Sequence, residues 1–164
     1  MLTIIKTAVI TISDKGSKGE RVDKSGEVIK EMIKEFDGEL VEYNIIPDER
    51  EIISKELKII ADSDKADLIL TTGGTGFAKR DVTPEATMDI VEKDVPGIPE
   101  EIRADTMKIT EMAALSRAKA GIRKESLIIN LPGSPKAVRE CLESIIKIIP
   151  HAIDILKGEV TEHN

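Results

Sequence analysis

A chain of 164 residues with 40% hydrophobic and 34% charged residues has the size and balance of one globular domain. The net charge of −7 and the aromatic content of 2% exclude the usual nucleic-acid-binding proteins, because an acidic surface repels phosphodiesters and few rings are available to stack on bases. The single cysteine, Cys141, excludes an internal disulfide framework and favours the reducing cytoplasm. Because Cys141 falls within the apolar pattern of a predicted helix, we expect its role to be structural.

Neither a membrane segment nor a zinc site is expected. The apolar N-terminal run MLTIIKTAVITIS is interrupted by Lys6 and has no cleavage site after it, so it is interpreted as a buried strand rather than a signal peptide. No segment approaches the roughly 20 apolar residues of a membrane helix. The two histidines, His151 and His163, have no cysteine or histidine nearby at the spacing of zinc ligands.

Strand and helix patterns alternate along the chain. Apolar and β-branched runs predict strands at residues 3–13, 40–46 and 68–72. Apolar residues at helical spacing predict helices at residues 25–36, 49–61, 83–93 and 99–110. Residues 116–122 and 127–131 are predicted as a pair of strands joined around Lys124 and Glu125, and residues 134–156 as the last helix.

The βαβαβα order predicts a three-layer α/β domain with a mostly parallel central sheet. We assign residues 1–157 to this single domain and residues 158–164 to a frayed tail, because no linker, repeat or low-complexity segment interrupts the chain. Parallel strands present their carboxyl ends at one edge of such a sheet, and ligands bind in the crevice at that edge.

Four of the predicted strands end in polar or glycine-rich turns. The turns are Ser13-Asp14, Pro47-Asp48, Gly73-Gly74-Thr75-Gly76 and Pro132-Gly133-Ser134. Because parallel strands bring these ends together, we expect the four turns to form one ligand site. The alternative is that they are ordinary turns, since turns need Gly, Pro and Asp for conformational reasons.

The stretch TTGGTGFAKRDVTPEAT, residues 71–87, contains three glycines within four residues. These glycines match neither the GxxxxGK[ST] loop nor the GxGxxG fingerprint, since Lys79 stands where the third glycine of the fingerprint belongs. Closely spaced glycines nevertheless allow a backbone to approach phosphate oxygens, with N–H groups pointing outward. The stretch is therefore a candidate phosphate-binding turn.

Asp81 and Glu85 follow the glycines, where a phosphate without counterions would be repelled. One interpretation is that both acids interact with the N-terminus of the following helix. The other is that a divalent cation lies between carboxylates and phosphates, as Mg²⁺ does when it binds one or two carboxylates together with substrate phosphates. Asp48, at a neighbouring strand end, would join this cluster. Lys79 and Arg80 would stabilise charge on a transferred phosphoryl group.

The segment LPGSPKAVRE is a second candidate anion site. Gly133 and Ser134 offer backbone N–H groups at the start of a helix, and Lys136 adds positive charge in the first turn. An ordinary Ser-Pro cap is the alternative. Arg117 and Arg123, which flank a predicted strand, are interpreted as solvated surface arginines.

Five segments, in chain order, resemble the molybdenum-cofactor biosynthesis proteins of the MoaB/Mog family, which include the G domain of gephyrin and its plant counterpart. The segments are VITISDKGSKGERVDKSG, IIPDE, TTGGTGFAKRDVTPEAT, LSRAKAGIRKESLIINLPGSPKAV and PHAIDIL. The first contains a D-x-SG element at Asp23, Ser25 and Gly26, and the third is the most specific. The similarity covers nearly the whole chain.

The resemblance implies a molybdopterin-binding fold. For active members it implies transfer of AMP from ATP to the terminal phosphate of molybdopterin, with Mg²⁺ and release of pyrophosphate. It also implies a homo-oligomer, either a trimer or a hexamer. Asp48 and Asp81 are implied as the catalytic acids that hold Mg²⁺, and Glu85 fills a position that is acidic in the family. The intact acid set favours this enzyme over the alternative, a molybdopterin carrier or scaffold without transfer activity.

The expected ligand contacts follow from the strand ends and from the resemblance. Gly74 to Gly76 would cradle a phosphate chain. Ser116, Asn130 and the turn Pro132-Gly133-Ser134 would form the pterin end, while the pockets for AMP and pterin stay unassigned. The expected ligand-binding residues are Ser13, Asp14, Gly73, Gly74, Thr75, Gly76, Glu85, Ser116, Asn130, Pro132, Gly133 and Ser134.

Overall fold

The computed structural model describes residues 4–159. Thr3, at the start of the first predicted strand, lies outside the described residues, as do His163 and the rest of the predicted tail beyond residue 159. No helix in residues 4–159 combines the length and the apolar character needed to cross a bilayer.

Six strands form one sheet in the order β2-β1-β3-β6-β5-β4. The strands are β1 (Ile5–Ile12), β2 (Gly38–Ile46), β3 (Leu68–Thr72), β4 (Lys93–Asp94), β5 (Ala120–Arg123) and β6 (Ser126–Leu131). Strands β2, β1, β3 and β6 run parallel, whereas β5 is antiparallel to β6 and β4 is antiparallel to β5. The predictions of a mostly parallel sheet and of a strand pair near residue 124 are confirmed.

Seven α-helices connect and follow these strands in the described part of the chain. They are α1 (Asp14–Ser17), α2 (Lys24–Met32), α3 (Arg50–Asp62), α4 (Thr83–Met88), α5 (Gly97–Thr106), α6 (Pro135–Ile145) and α7 (Ile149–Leu156). A 3₁₀ turn, Ile33–Phe36, extends α2, and a second one, Glu111–Leu115, follows α5. The helix α1 was not predicted, because a single turn of four residues carries no measurable apolar period.

Two apolar clusters cover the two faces of the sheet, because successive strand residues point to opposite sides. Val9 and Leu70 lie on one face and pack with side chains of α2, α5, α6 and α7. Ile10 and Ile69 lie on the other face and pack with side chains of α3 and α4. The helices therefore form the two outer layers, as the three-layer prediction requires.

The C-terminal helix predicted over residues 134–156 was wrong, because two helices occupy this span. The helix α6 ends at Ile145 and α7 begins at Ile149, with Pro150 in its first turn. Proline has no backbone N–H, and its ring would clash with the carbonyl of residue 146 in a continuous helix. A proline is tolerated in a first turn, so the chain starts a new helix there.

The helix predicted over residues 83–93 ends at Met88, because the residues after it join the sheet. Glu92 N–H donates to the Ile122 carbonyl at 2.8 Å, and residues 93–94 form the short edge strand β4. The strand predicted to begin at residue 116 begins only at Ala120. The prediction therefore missed the edge strand β4 and began the neighbouring strand β5 too early.

The register of the parallel strands brings four turns to the same edge of the sheet. Thr11 pairs with Thr72, Thr72 pairs with Leu131, and Ile12 pairs with Ile46. The residues that follow these strand ends therefore begin turns at one level. They are Ser13, Pro47, Gly73 and Pro132.

Candidate active site

A cavity of about 870 Å³ lies at the carboxyl edge of the parallel strands. Its size falls within the range of small-molecule sites in proteins. Its walls come from the turns after β1, β2, β3 and β6 and from the loop that leads into α2. Of the residues predicted from sequence, it is lined by Ser13, Asp14, Asp48, Gly73, Gly74, Asp81, Gly133 and Ser134.

The turn after β3 requires its first two glycines. Gly73 and Gly74 have φ angles of +103° and +71°, in the region that side chains rarely adopt. A Cβ on Gly73 would lie 2.3 Å from the Ile12 carbonyl oxygen, so this turn packs directly against the end of β1. Because Gly73 and Gly74 have no side chains, the turn presents its backbone to the cavity at these positions.

Asp14 and Asp48 join the turns after β1 and β2 by a reciprocal pair of hydrogen bonds. The Asp14 N–H donates to Asp48 Oδ2 at 2.9 Å, and the Asp48 N–H donates to Asp14 Oδ1 at 3.0 Å. Each carboxylate thus satisfies the backbone of the other residue. The pair sets the spacing of two acids that the sequence separates by more than 30 residues.

Burial raises the pKa of the half-buried Asp48, and the negative charges of Asp14 and Asp81 raise it further. A hydrogen bond from the Asp14 backbone and the positive charge of Arg80 act in the opposite direction without cancelling the rise. The effect of Asp81 on Asp48 indicates that the two carboxylates are close enough to repel each other. A cation between them would relieve this repulsion.

Asp81 is held at the wall of the same cavity by its own turn. Its Oδ2 accepts the Ala78 N–H at 2.9 Å, and its N–H donates to the Ala78 carbonyl at 3.0 Å. A Cβ on Gly76 would lie 3.0 Å from Asp81 Oδ2, and a Cβ on Gly74 would lie 3.3 Å from Asp48 Oδ1. The glycines therefore leave room for the two carboxylates beside the turn.

Arg80 links three of the turns at the rim of the cavity. Its Nε and Nη2 donate to the Asp14 carboxylate at 2.8 and 2.9 Å, and its Nη2 also donates to Glu49 Oε1 at 2.8 Å. The bidentate hydrogen bonds from Arg80 lower the pKa of Asp14. The guanidinium thus faces carboxylates here, and contact with a phosphoryl group would require it to leave them.

The loop before α2 forms a wall that sequence analysis did not assign to the site. Arg21, Val22, Asp23, Lys24 and Ser25 line the cavity, and the D-x-SG element of the resemblance is the signal that could have found them. Asp23 caps α2 by accepting the Gly26 N–H at 3.0 Å. It therefore fixes where α2 begins.

Asp23 also ties this wall to the sheet. Its Oδ2 accepts hydroxyl groups from Thr11, at 2.6 Å, and from Tyr43. Burial by itself raises the pKa of Asp23, but the hydrogen bonds from Thr11, Tyr43 and the residues of its own turn outweigh burial and leave the pKa lowered. The residue is therefore a carboxylate fully engaged by donors.

A second cavity, of about 520 Å³, contains two of the predicted residues, Glu85 and Ser116. Its walls come from α3, α4, α5 and the segment before β5. Two ion pairs lie in these walls, Arg117–Glu85 at 2.6 Å and Arg50–Asp89 at 2.7 Å. The lining residues are Arg50, Pro84, Glu85, Met88, Asp89, Arg103, Ser116, Arg117, Ala118 and Lys119.

Four predicted residues are held by protein contacts away from the walls of both cavities. The Thr75 carbonyl accepts the Arg117 N–H, the Gly76 carbonyl accepts the Arg117 side chain, and the Pro132 carbonyl accepts the Thr72 hydroxyl. The buried Asn130 amide donates to the hydroxyls of Thr71 and Thr87 and accepts the Lys119 N–H. These contacts support the walls rather than form them.

The chain matches one protein family over most of its length. The family described as the probable molybdopterin binding domain matches residues 8–151. This span contains all the turns that line the larger cavity.

Curated relatives and solved structures agree with this family. The molybdopterin adenylyltransferase of Helicobacter pylori is 45% identical over 162 residues, covering 98% of this chain and 92% of that protein. The molybdopterin adenylyltransferase of Escherichia coli is 35% identical over 178 residues, covering 98% and 90%. The crystal structure of the molybdopterin biosynthesis enzyme MoaB from Thermus thermophilus aligns with a TM-score of 0.89 and 45% identity, covering 94% of this chain and 98% of that one.

Proposed function

The chain belongs to the family of probable molybdopterin binding domains, and we propose that its larger cavity transfers AMP from ATP to the terminal phosphate of molybdopterin. It is a molybdopterin adenylyltransferase of molybdenum-cofactor biosynthesis, the activity for which its curated relatives are named. The observation that carries the site proposal is that Asp48, from the turn after β2, and Asp81, from the loop after β3, line one cavity beside the glycines of that loop.

The donor set of this cavity fits Mg²⁺, and we propose Asp48 and Asp81 as its protein ligands. Burial is the main reason that the pKa of Asp48 is raised, and the negative charges of Asp14 and Asp81 add a repulsion that a cation would offset. Residues 4–159 contain no group of three or more His, Cys, Asp or Glu side chains that could hold a metal by themselves. Two carboxylates suffice for Mg²⁺, since substrate phosphates and water complete its shell. When bound, the ion supplies charge neutralisation to those phosphates.

The residues of the chain would act by positioning in this reaction. The backbone at Gly73 and Gly74 and the amides at the start of α6, next to Gly133 and Ser134, would bind phosphate oxygens. An oxygen of the molybdopterin phosphate would attack the α-phosphorus of ATP as the bond to the β-phosphate oxygen breaks, releasing pyrophosphate. Phosphoryl-type transfer needs little covalent chemistry from the protein, so alignment and charge stabilisation are the main contributions.

The assay is purified protein incubated with ATP, Mg²⁺ and molybdopterin, followed by chromatography of the adenylylated pterin. Asp81→Asn should lower the transfer rate by about 100-fold or more, because the charge that holds the cation is lost, and it should retain pterin binding. Asp62→Asn is the matched control, since Asp62 pairs with Arg123 at 2.8 Å and lines neither cavity.

Three outcomes separate the proposals. Transfer of AMP by Asp81→Asn at the same rate as by the wild type would contradict the role of Asp81. Loss of transfer in both Asp81→Asn and Asp62→Asn would indicate general destabilisation. Pterin binding by the wild type without any adenylylated product would leave the carrier alternative in place of the enzyme.

Glu85 and Ser116 support a ligand role for the second cavity, and we propose that it receives part of one of the two substrates. The pterin contacts implied by the resemblance are divided between the cavities, since Gly133 and Ser134 line the larger one. Ser116→Ala should weaken the binding of either ATP or molybdopterin, because its hydroxyl can bond to a ligand. Equilibrium titration with each substrate identifies which one, and unchanged affinity for both would contradict the proposal.

We propose that the protein is a homo-oligomer, a trimer or a hexamer, and that it works in the cytoplasm. Met107, Ile109, Met112 and Leu115 are all exposed within a short segment, which supports burial against another copy. Sedimentation equilibrium tests this, and a monomer would contradict it. The free thiol of Cys141 supports a reducing compartment, which cell fractionation tests.

A further inference from the structure

Arg117 makes four contacts with the glycine turn, the loop that follows it and α4. Its backbone N–H donates to the Thr75 carbonyl at 3.0 Å. Its side chain donates from Nε to the Gly76 carbonyl at 2.9 Å and from Nη2 to the Asp81 carbonyl at 2.8 Å. Nη1 completes the set with Glu85 Oε2 at 2.6 Å. One residue from the segment before β5 therefore holds a loop that lies more than 30 residues earlier in the chain.

The guanidinium group matches this set of acceptors in a way that an ammonium group does not. Arginine presents five N–H donors in a rigid plane, and at Arg117 three separate acceptors lie around that plane. Glu85 supplies the opposite charge, with both side chains about one-third exposed. A lysine would reach one or two of these acceptors at a time and leave a loop carbonyl without its partner.

The contact with the Asp81 carbonyl bears directly on the larger cavity. The N–H and carboxylate of Asp81 are already bonded to Ala78. The hydrogen bond from Arg117 restrains Asp81 at its carbonyl, the remaining backbone group. Arg117, which does not line the larger cavity, therefore holds the backbone of an acid that does. Arg117 lines the second cavity instead.

We propose that Arg117 is a positioning residue, which holds the turn from Thr75 to Asp81 in the shape that directs the Asp81 carboxylate toward Asp48. The inference rests on the proposed function of Asp81 as a cation ligand. Because Arg117 forms part of the second cavity while it fixes an acid of the first, it also provides a physical link between the two.

The experiment compares Arg117→Lys with Arg123→Lys in the full-length protein. Arg123 is a matched control, because its side chain also donates to one carboxylate and to the backbone, at one carbonyl where Arg117 has two. Its Nε and Nη2 bond to Asp62 at 2.8 and 3.0 Å, and its Nη1 bonds to the Ile90 carbonyl at 2.8 Å. It lines neither cavity. Urea unfolding of both variants measures how much each arginine contributes to stability.

Two readouts are needed. In Arg117→Lys, amide hydrogen exchange across residues 76–83 should become faster by about tenfold or more, since local opening no longer breaks the Arg117 contacts. The turnover number for AMP transfer should fall about 10- to 100-fold, the cost of a small displacement of reacting groups, while the KM for ATP changes much less. Arg123→Lys should change neither quantity, even at an equal loss of stability.

The outcomes distinguish the inference from the proposed function. Exchange across residues 76–83 that is unchanged in Arg117→Lys, or turnover lost equally in Arg123→Lys, would overturn the positioning role. If the wild type transfers no AMP, the proposed function fails, while the exchange rates still decide whether Arg117 holds the turn. Faster exchange with undiminished turnover would also overturn the inference, because Asp81 would then not depend on the turn.

Discussion

Replacement of Gly74 by alanine tests how closely the glycine turn and the acids are fitted together. Gly74 has a φ angle of +71°, and a Cβ added to it would point at the buried Thr83. A Cβ at this position would lie 2.2 Å from Thr83 Oγ1 and 3.3 Å from Asp48 Oδ1. Thr83 cannot turn away without loss, since its hydroxyl donates to the Gly73 carbonyl at 2.9 Å.

The size of the effect follows from two separate costs. A left-handed backbone costs alanine about 1–2 kcal/mol relative to glycine. The forced displacement of a buried side chain adds about 1–3 kcal/mol. The free energy of unfolding should therefore fall by about 2–5 kcal/mol, which for a domain of this length lowers Tm by roughly 4–20 °C.

Gly19→Ala supplies the matched control. Gly19 has nearly the same φ angle, +73°, but a Cβ added there would meet no atom within 4 Å beyond its chain neighbours. The control should lose only the backbone contribution, about 1–2 kcal/mol. Calorimetry measures both variants, and the transfer assay should show a loss of activity in Gly74→Ala alone, because its Cβ also reaches Asp48.

Equal destabilisation of the two variants would refute the reasoning, since the clash with Thr83 would then contribute nothing. Full transfer activity in folded Gly74→Ala would also refute it. In that case the close approach between Gly74 and the Asp48 carboxylate would not matter for the reaction. The proposed role of the acid pair would then lose its main structural evidence.

Two further predictions concern thiol reactivity and the pH dependence of stability. Burial first, and the nearby Glu140, raise the pKa of Cys141 to about 11, so a disulfide reagent should leave the thiol unmodified at pH 8 and modify it in urea; prompt reaction in the native protein would contradict this. The lowered pKa of Asp23 contributes stability that is present above the pKa of the unfolded chain and is lost as pH falls through the folded pKa. Urea unfolding should therefore show a difference between wild type and Asp23→Asn that is largest near neutral pH and shrinks below about pH 4, and a constant difference would be the contrary result.

Charge and spacing predicted the acids of the site but not the partner of each acid. Asp81 precedes α4 and Glu85 lies in its first turn, so the start of the helix turns the two side chains in different directions. Asp81 lines the larger cavity, whereas Glu85 binds Arg117 at the second one. The interpretation of Arg117 as a solvated surface residue was wrong, because its guanidinium is bonded to three groups of the protein. The same interpretation of Arg123 was wrong for the same reason, since its guanidinium is bonded to Asp62 and to a backbone carbonyl.

Asn130, in the core of the sheet, is another residue whose hydrogen-bond partners the sequence did not predict. As part of the strand end that leads to the Pro132 turn, it was expected at the pterin end of the site. Its amide instead bonds to Thr71, Thr87 and the Lys119 backbone, and it is 1% exposed. A polar residue on a buried strand can serve a ligand or the neighbouring strands, and the one-dimensional pattern is identical in the two cases.

The sequence by itself determined the alternation of strands and helices, and with it the edge at which Ser13, Asp48, Gly73 and Gly133 meet. Periodic burial is a local property, and parallel strands must end on one side, so both can be derived from the order of residues. Only the tertiary structure decided which acids share a cavity and that Arg117 holds Asp81. Those contacts join residues more than 30 positions apart, and hydrogen bonds at that separation leave no period in the sequence.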